Sequence, residues 1–467
     1  MKLLITPFLT CFSGIALRIT WAERFILIVS PKNIRMEVEA LPVELTPSVP
    51  KDTVYPGLSN TTSQAAATVV DNRAWVSVNG LAQGSTTDIN YNPSNGLSHV
   101  ILTATLPAAT GTLWTSIGMS QGWLYSMIER VSIRIAGSQV MTYSGQQLLI
   151  DNLTDADSTG KQGALVALGG QQLGAGSTDF AAGKAGLSAS VYIKCPWNSC
   201  SSFQAALPFG TDLLTSPITI SISWAQFQNV AYPAGGSWTS ALLANLPTAM
   251  ASASMNFRQT TLVRSEALLA SRHNMNEESI LYPLRYLATP QFRSPVITVS
   301  DNSVQSLALT GIRGGSLLYA DVWITQANVS GNPLAFVQPL SLRVLLNGNV
   351  YYDSGIGSAA SPYNNQLLSL CSRRNPTNVN VTTLNTAAGA VANSLTAAGA
   401  IAWTVVPFAQ VSEPGCFETE GRSGLAVSNV TLTCEVAFAA VGSYYVNVAW
   451  HHAGSIMVTR GSASFVM

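Results

Sequence analysis

From Ala66 onward, large apolar residues recur either at every second position or in short unbroken runs, and Gly, Pro, Asn and Ser punctuate them. Alternation with period two places one set of side chains on a single face of an extended strand, and the unbroken runs suit strands covered on both faces. Val100 to Leu106, Glu129 to Ile135, Ser190 to Ile193 and Ile218 to Trp224 read as strands in the first half. Val296 to Val299, Leu317 to Ile324, Leu342 to Leu346, Val430 to Val436 and Tyr444 to Trp450 do so in the second. These runs are rich in Val, Ile, Thr and aromatic residues, which suit a pleated, half-buried surface. Helical spacing is rare: Leu262 to Ser271 is the best candidate, with a short turn expected around Gln146 to Asp151. The fold class is therefore all-β.

Two segments depart from this pattern. Asp155 to Leu187 and Thr382 to Gly399 consist largely of Gly, Ala, Ser, Thr and Asn, too few large side chains for a core of their own, and read as long inserted loops. They fall at corresponding places in the two halves. Val131-Ser-Ile-Arg-Ile-Ala-Gly137-Ser-Gln-Val140 is a strand, a turn over Ala136 to Ser138 and a return strand, and Leu340-Ser-Leu-Arg343-Val-Leu-Leu-Asn347-Gly348-Asn-Val350 repeats it. The glycines are 348 − 137 = 211 positions apart, with Arg134 near Arg343. Val191-Tyr-Ile193-Lys-Cys-Pro196-Trp197 is echoed by Ile401-Ala-Trp403-Thr-Val-Val-Pro407-Phe408, and Ile218 to Trp224 by Val430 to Val436 at 430 − 218 = 212. Three strand-level matches at one spacing indicate a duplicated domain. The expected organisation is a leader or arm over 1–65, a first sandwich over 66–249, a linker over 250–272 and a second sandwich over 273–467.

Composition sharpens the picture. Of 467 residues, 47% are apolar and only 10% charged, against roughly 25% in an ordinary soluble domain. Lys+Arg 23 balance Asp+Glu 23, so the net charge is zero, and such a surface favours association. The expectation is that copies of the chain cover much of it. No Lys/Arg cluster of the kind that displaces counterions from phosphates is present, so direct nucleic-acid binding is not expected. At the N-terminus Leu3 to Leu17 resembles the core of a signal peptide, but Pro7, Arg18, Glu23 and Arg24 interrupt it before a second apolar run, Phe25 to Val29. An arm, or a start at Met36, fits this better than a signal peptide. Neither run has the ~18 apolar residues of a membrane span.

Candidate chemistry is sparse. Cys11, Cys195, Cys200, Cys371, Cys416 and Cys434 form no C-x-x-C pair and read as buried thiols, with Cys195–Cys200 or Cys416–Cys434 bridges open to an oxidising compartment. The histidines are His99, His273, His451 and His452. Adjacent His451 and His452 point to opposite faces of a strand, cannot chelate one ion together, and read as an ordinary strand end. Glu418 and Glu420 share a strand face but sit beside Arg422, as in a solvated loop or an intersubunit ion pair. Gly311-Ile-Arg-Gly-Gly315 lacks the Lys-Ser/Thr of a phosphate loop and reads as a turn. Asn60, Asn152, Asn328, Asn380 and Asn429 are glycosylation sequons, Asn380 being the one expected to be exposed. No residue is assigned a catalytic, cofactor-binding or metal-ligating role, and no enzyme activity is expected.

Met127-Ile-Glu-Arg-Val-Ser-Ile-Arg-Ile-Ala-Gly137 followed by Tyr143-Ser-Gly-Gln-Gln-Leu-Leu149 resembles the strand, glycine turn and short helix of the major capsid proteins of nucleocytoplasmic large DNA viruses. Val191 to Trp197, Ala206-Leu-Pro-Phe209 and Ile218 to Trp224 are similar to that family's next strands, and Ser443 to Trp450 with Gly454 to Gly461 to its closing ones. The sequence departs from the family at Leu207-Pro-Phe-Gly-Thr-Asp212 and in the leader before Met36. The resemblance implies two tandem eight-stranded jelly-roll β-sandwiches and a homotrimer forming a pseudo-hexagonal capsomer of an icosahedral shell. It also implies neighbouring capsomers and minor capsid proteins as partners, an inner membrane beneath the shell, assembly in the host cytoplasm, and insertions that form an outward tower or clasp a neighbour. The rival readings are a secreted β-sandwich adhesin or carbohydrate-binding protein, a jelly-roll enzyme, and a minor capsid or spike protein of the same virus type.

Overall fold

In a computed structural model of the protein the described residues are 24–30, 33–39, 68–92, 96–107, 117–119, 122–155, 164–170 apart from 166, 187–195, 217–233, 238–263 apart from 245, 280–288, 292–310 apart from 302, 312, 316–327, 336–353 apart from 338, 403–408, 425–426, 430–459 apart from 439, and 462–466. Eight strands build the first sandwich: β1 (Thr68–Ser77), β2 (Thr86–Tyr91), β3 (Gly96–Thr105), β4 (Ile128–Ile135), β5 (Ser138–Tyr143), β6 (Ser188–Ile193), β7 (Ile218–Trp224) and β8 (Ser252–Val263). They form two antiparallel four-stranded sheets, ordered β2-β7-β4-β5 and β1-β8-β3-β6. Consecutive strands alternate between sheets except at the β4–β5 hairpin, which is the jelly-roll winding.

The second half repeats this plan. Its strands are β9 (Ile280–Ala288, continued by Phe292–Arg293 and Ile297–Val299), β10 (Gln305–Leu309), β11 (Ser316–Gln326), β12 (Ser341–Leu346), β13 (Asn349–Asp353), β14 (Trp403–Pro407), β15 (Leu432–Ala437) and β16 (Gly442–Thr459). Their orders, β10-β15-β12-β13 and β9-β16-β11-β14, reproduce the first pair with every strand advanced by eight, and short strands extend the second of these sheets. The Gly/Ala-rich segments lie between β5 and β6 and between β13 and β14, so they are insertions at one equivalent position. The second lies outside the described residues. Part of the first is packed: Gly122 and Leu124 donate backbone hydrogen bonds to the Gly170 and Gly169 carbonyls at 2.7 and 2.9 Å.

The duplicated turns are a local signature of the repeat. Ala136 and Gly137 have φ of 48° and 81°, and Asn347 and Gly348 have 50° and 81°. Each pair is a two-residue hairpin loop with positive φ at both positions, the turn whose twist matches its flanking strands. In the closing pairs Ile135 opposes Ser138 and Leu346 opposes Asn349. This register equates Ile135 with Leu346, so Arg343 corresponds to Ser132 rather than to Arg134. Arg343 instead pairs across the hairpin with Asp353 at 2.8 Å.

Three sequence expectations require correction. Leu262 and Val263 are not the start of a helix but the end of β8, where they pair with Val69 and Thr68; residues 264–271 lie outside the described set. The expected linker 250–272 therefore contains a central strand of the first sandwich, because β8 is hydrogen-bonded on both sides, to β1 and β3. Its alternation (Met255 and Phe257 inward, Ser254 and Arg258 outward) was a strand signal that the Leu and Ala residues after it obscured. The expected turn near Gln146 is an eleven-residue helix, α2 (Gly145–Asp155), packed against the short helix α1 (Trp123–Met127). Ahead of the sandwiches, Arg24–Ser30 and Asn33–Glu39 pair as a hairpin that places Met36 opposite Leu27. No helix among the described residues is long and apolar enough to cross a membrane.

Each sandwich has its own core. Leu102, Val191, Met255 and Phe257 from one sheet meet Ile89, Val131, Ile133, Ile220 and Ile222 from the other, while Val322, Ile324, Val446 and Val448 meet Leu342, Val344, Cys434 and Val436 in the second. Cys195 and Cys434 are free and buried, as the thiol reading anticipated. The other four cysteines lie outside the described residues. Burial pushes the Cys434 thiol from 9.0 up to about 12, helped by the neighbouring Glu435 carboxylate, and the Tyr125 hydroxyl from 10.0 to about 12. Asn152, one of the sequons, is buried and donates to the Tyr125 hydroxyl and the Tyr192 carbonyl, both at 3.2 Å, so the folded chain withholds it from glycosylation.

The turn geometry sets one test. Space is open around Gly137 and Gly348, so a side chain there meets no neighbour and only the left-handed backbone is strained. Gly137→Val and Gly348→Val should each cost about 1–2 kcal/mol, read as melting lowered by a few degrees; unchanged melting in both removes the turn assignment. Gly145→Ala should cost more, because its Cβ would fall on the Tyr125 carbonyl backbone. The buried acids set another. Their pKa values are higher folded than unfolded, so the stability they lend is complete below pH 9 and is lost as pH rises from 9 toward 12. Native Cys195 and Cys434 should ignore a thiol-specific disulfide reagent at about pH 8 and react once guanidinium opens the fold, thiolate being the reactive form. Rapid labelling of the native protein at both positions contradicts the buried placement.

Candidate functional site

The feature that distinguishes the two sandwiches is what covers their equivalent sheets. Along β11 the side chains divide between two cores: Ala320, Val322 and Ile324 belong to the second sandwich, whereas Tyr319 and Trp323 join the core of the first. β14 divides likewise, Trp403 and Val405 facing the first core and Val406 its own. On β16, Ala449 faces the first core, while Val448 and Trp450 face the second. The outer face of β16-β11-β14 is thus a seam, buried against the first sandwich. Trp323 crosses it, its indole Nε1–H donating to Gln146 Oε1 on α2 at 2.9 Å.

The seam also holds polar groups. Asp321 lies between Tyr319 and Trp323 on β11, on the seam side by strand alternation. His451 of β16 places Nε2 2.9 Å from Asp321 Oδ2, and its ring stacks on Tyr319 with centroids 4.1 Å apart. Asp151, in the last turn of α2, brings a third group from the first sandwich. Asp151, Asp321 and His451 are 1%, 0% and 2% exposed, and one potential ligand atom from each lies within 4.8 Å of the others. Gln147, on the same face of α2 one turn before Asp151, is fully buried.

His451 and His452 are accordingly not a strand end: both are buried within the eighteen-residue β16. They do point to opposite faces, and neither chelates with the other. The partners of His451 come from 130 and 300 positions away (451 − 321 and 451 − 151), a separation that no motif search spans. One sequence signal was available, namely that Asp321 is the single charge in the run Leu317-Leu-Tyr-Ala-Asp-Val-Trp-Ile324. A charge within a strand buried on both faces must be paired or bound. His99 stands apart from the seam, edge-on to Tyr192. His273, Glu418, Glu420 and Arg422 lie outside the described residues, as do Asn60, Asn328, Asn380 and Asn429.

The equivalent face of the first sandwich, on β1-β8-β3-β6, is open. Trp75 is 63% exposed and Ile101 37%, and both lie beside Asn256 in register, Trp75 on β1 and Ile101 on β3. Around them the face is lined by small hydroxyls that bond across strands, Thr103 with Ser190 and Thr105 with Ser188, both at 2.8 Å. Such a surface carries a projecting indole, with Arg258 exposed on the same side of β8 as Asn256.

No protein-family model and no curated protein matches the chain in sequence. Solved structures match in fold. VP54 of PBCV-1, fitted into a reconstruction of the virophage Sputnik, superposes with a TM-score of 0.56 at 10% identity, over 86% of this chain and 97% of that one. A chain of the quasi-atomic PBCV-1 virus capsid does so with a TM-score of 0.53 at 9% identity, over the same shares. Over nearly the whole of those chains, the tandem sandwiches and the seam between them follow the fold of a virus capsid component.

Proposed function

We propose that this chain is a double jelly-roll major capsid protein, three copies of which form a pseudo-hexagonal capsomer in the icosahedral shell of a double-stranded DNA virus. Its role is structural, and its place is the virion. The observation that carries the proposal is the unequal covering of two equivalent sheets: β16-β11-β14 is buried by the first sandwich, while β1-β8-β3-β6 presents Trp75 and Ile101 to solvent. A contact made by one face on a different face is heterologous, and repetition of the same rotation closes a ring. If the first sandwich's open face takes the same kind of neighbour, that neighbour is the second sandwich of another copy. Three copies then supply the six sandwiches of one ring. The fold likeness to a PBCV-1 capsid chain supports the same reading.

The composition agrees. Obligate interfaces are apolar and poor in charge, and a neutral chain with 10% charged residues has little to hold it in solution as a monomer. Secretion is disfavoured by the free thiols of Cys195 and Cys434 and by the buried Asn152 sequon. Neighbouring capsomers, minor capsid proteins and an underlying membrane are the partners such a capsomer would meet.

Light scattering after size exclusion should give three times the 49.3 kDa chain mass. Trp75→Asp combined with Ile101→Asp should yield a monomer that melts within a few degrees of the parent sandwich, since both side chains are already exposed in the single chain. A well-behaved wild-type monomer at micromolar concentration overturns the proposal, and a trimer unmoved by the double substitution overturns the assigned face.

A further inference from the structure

Carboxylates and an imidazole buried side by side are a donor set that a transition-metal cation can hold together. Asp151, Asp321 and His451 present such a set in the seam, each at most 2% exposed and with one potential ligand atom from each within 4.8 Å of the others. A second observation lies beside them. Both side-chain atoms of Gln147, Oε1 and Nε2, are buried without a hydrogen-bond partner among the described residues. Buried amides are almost always satisfied, and this one shares the Asp151 face of α2. An ion held by the three, with its remaining coordination sphere, would give that amide a partner.

We infer that Asp151, Asp321 and His451 form a structural site for a divalent transition metal, zinc above others, that ties the first sandwich to the second. An imidazole nitrogen in the set disfavours calcium and magnesium, which take oxygen ligands, and suits zinc. Zinc binds His and Asp at about 2.0–2.2 Å, and a tetrahedral arrangement then separates its donors by about 3.3 Å. The three donor atoms already lie within 4.8 Å of one another, so side-chain adjustment alone closes the site. The fourth position falls to water or to the Gln147 amide oxygen. Because Asp151 belongs to the first sandwich and the other two ligands to the second, binding energy becomes stability of the seam. The inference is independent of the shell reading, for it concerns contacts within one chain.

The test uses the full chain, expressed without a polyhistidine tag and purified without chelator. Elemental analysis should find one zinc per chain, and 1,10-phenanthroline should lower the melting temperature, with micromolar zinc restoring it. Cobalt in place of zinc should give the intense visible bands of a tetrahedral site. Asp321→Asn and Asp151→Asn should each lose the metal and make melting indifferent to the chelator. Should Asp321→Asn fail to fold, the helix-borne Asp151→Asn and the wild-type titration carry the test. A wild-type chain that takes up no zinc on dialysis and melts identically with and without it overturns the site. So does zinc retained in full by Asp151→Asn.

Discussion

The structure depends on one sheet being buried on both of its faces. Along β11, β14 and the middle of β16 one set of side chains closes the core of its own sandwich and the other lies against the first sandwich, so these stretches carry no solvent-facing set. That requirement explains the run Leu317-Leu-Tyr-Ala-Asp-Val-Trp-Ile324 and the Trp403-Thr-Val-Val406 strand, where alternation is lost. It also explains where the aromatic mass sits: Trp323, Trp403 and Tyr319 fill the seam, and Trp450 fills the core behind it. Without the first sandwich, this sheet would expose a continuous apolar face, which monomeric domains avoid.

The same constraint revises the reading of the low charge. The sequence pointed to copies of the chain as the cover for its apolar surface, yet part of that surface is covered internally, by one half on the other. What remains open is the corresponding face of the first sandwich, whose Thr and Ser pairs and single projecting indole differ from the aromatic seam. The duplicated halves have thus diverged at the face where their surroundings differ. They have kept their turns, with positive φ at the same two positions, because the hairpin twist is needed in both.

Polar groups in the seam follow from this burial. Asp321 and His451 are held by adjacent strands, and Asp151 and Gln146 by a helix that follows β5 directly. The geometry joins a helix of one duplicate to a sheet of the other, so the pairing of the halves is fixed by direction as well as by apolar contact. Trp323 bonded to Gln146 is the clearest instance, an indole whose N–H finds its acceptor only when the sandwiches are docked.

Much of the fold could be read from local pattern. Period-two alternation located β4, β7, β12 and β15 within two residues and β3 apart from its first four, the Ala-Gly and Asn-Gly turns located two hairpins, and constant spacing revealed the duplication. All three are short-range signals, carried by neighbours in the chain. β8 was misplaced into a linker and a helix because its last residues run into a Leu- and Ala-rich stretch, and pairing on both sides, not propensity, makes it a strand. The seam cluster was invisible for the same reason on a larger scale. Residues 151, 321 and 451 carry no mutual spacing rule, and their meeting depends on which face of each sandwich is turned inward. The amino-acid order determined the strands, the turns and the repeat; tertiary packing alone decided which apolar face is shared and which three polar groups are trapped within it, since burial is a property of the docked halves and not of either one.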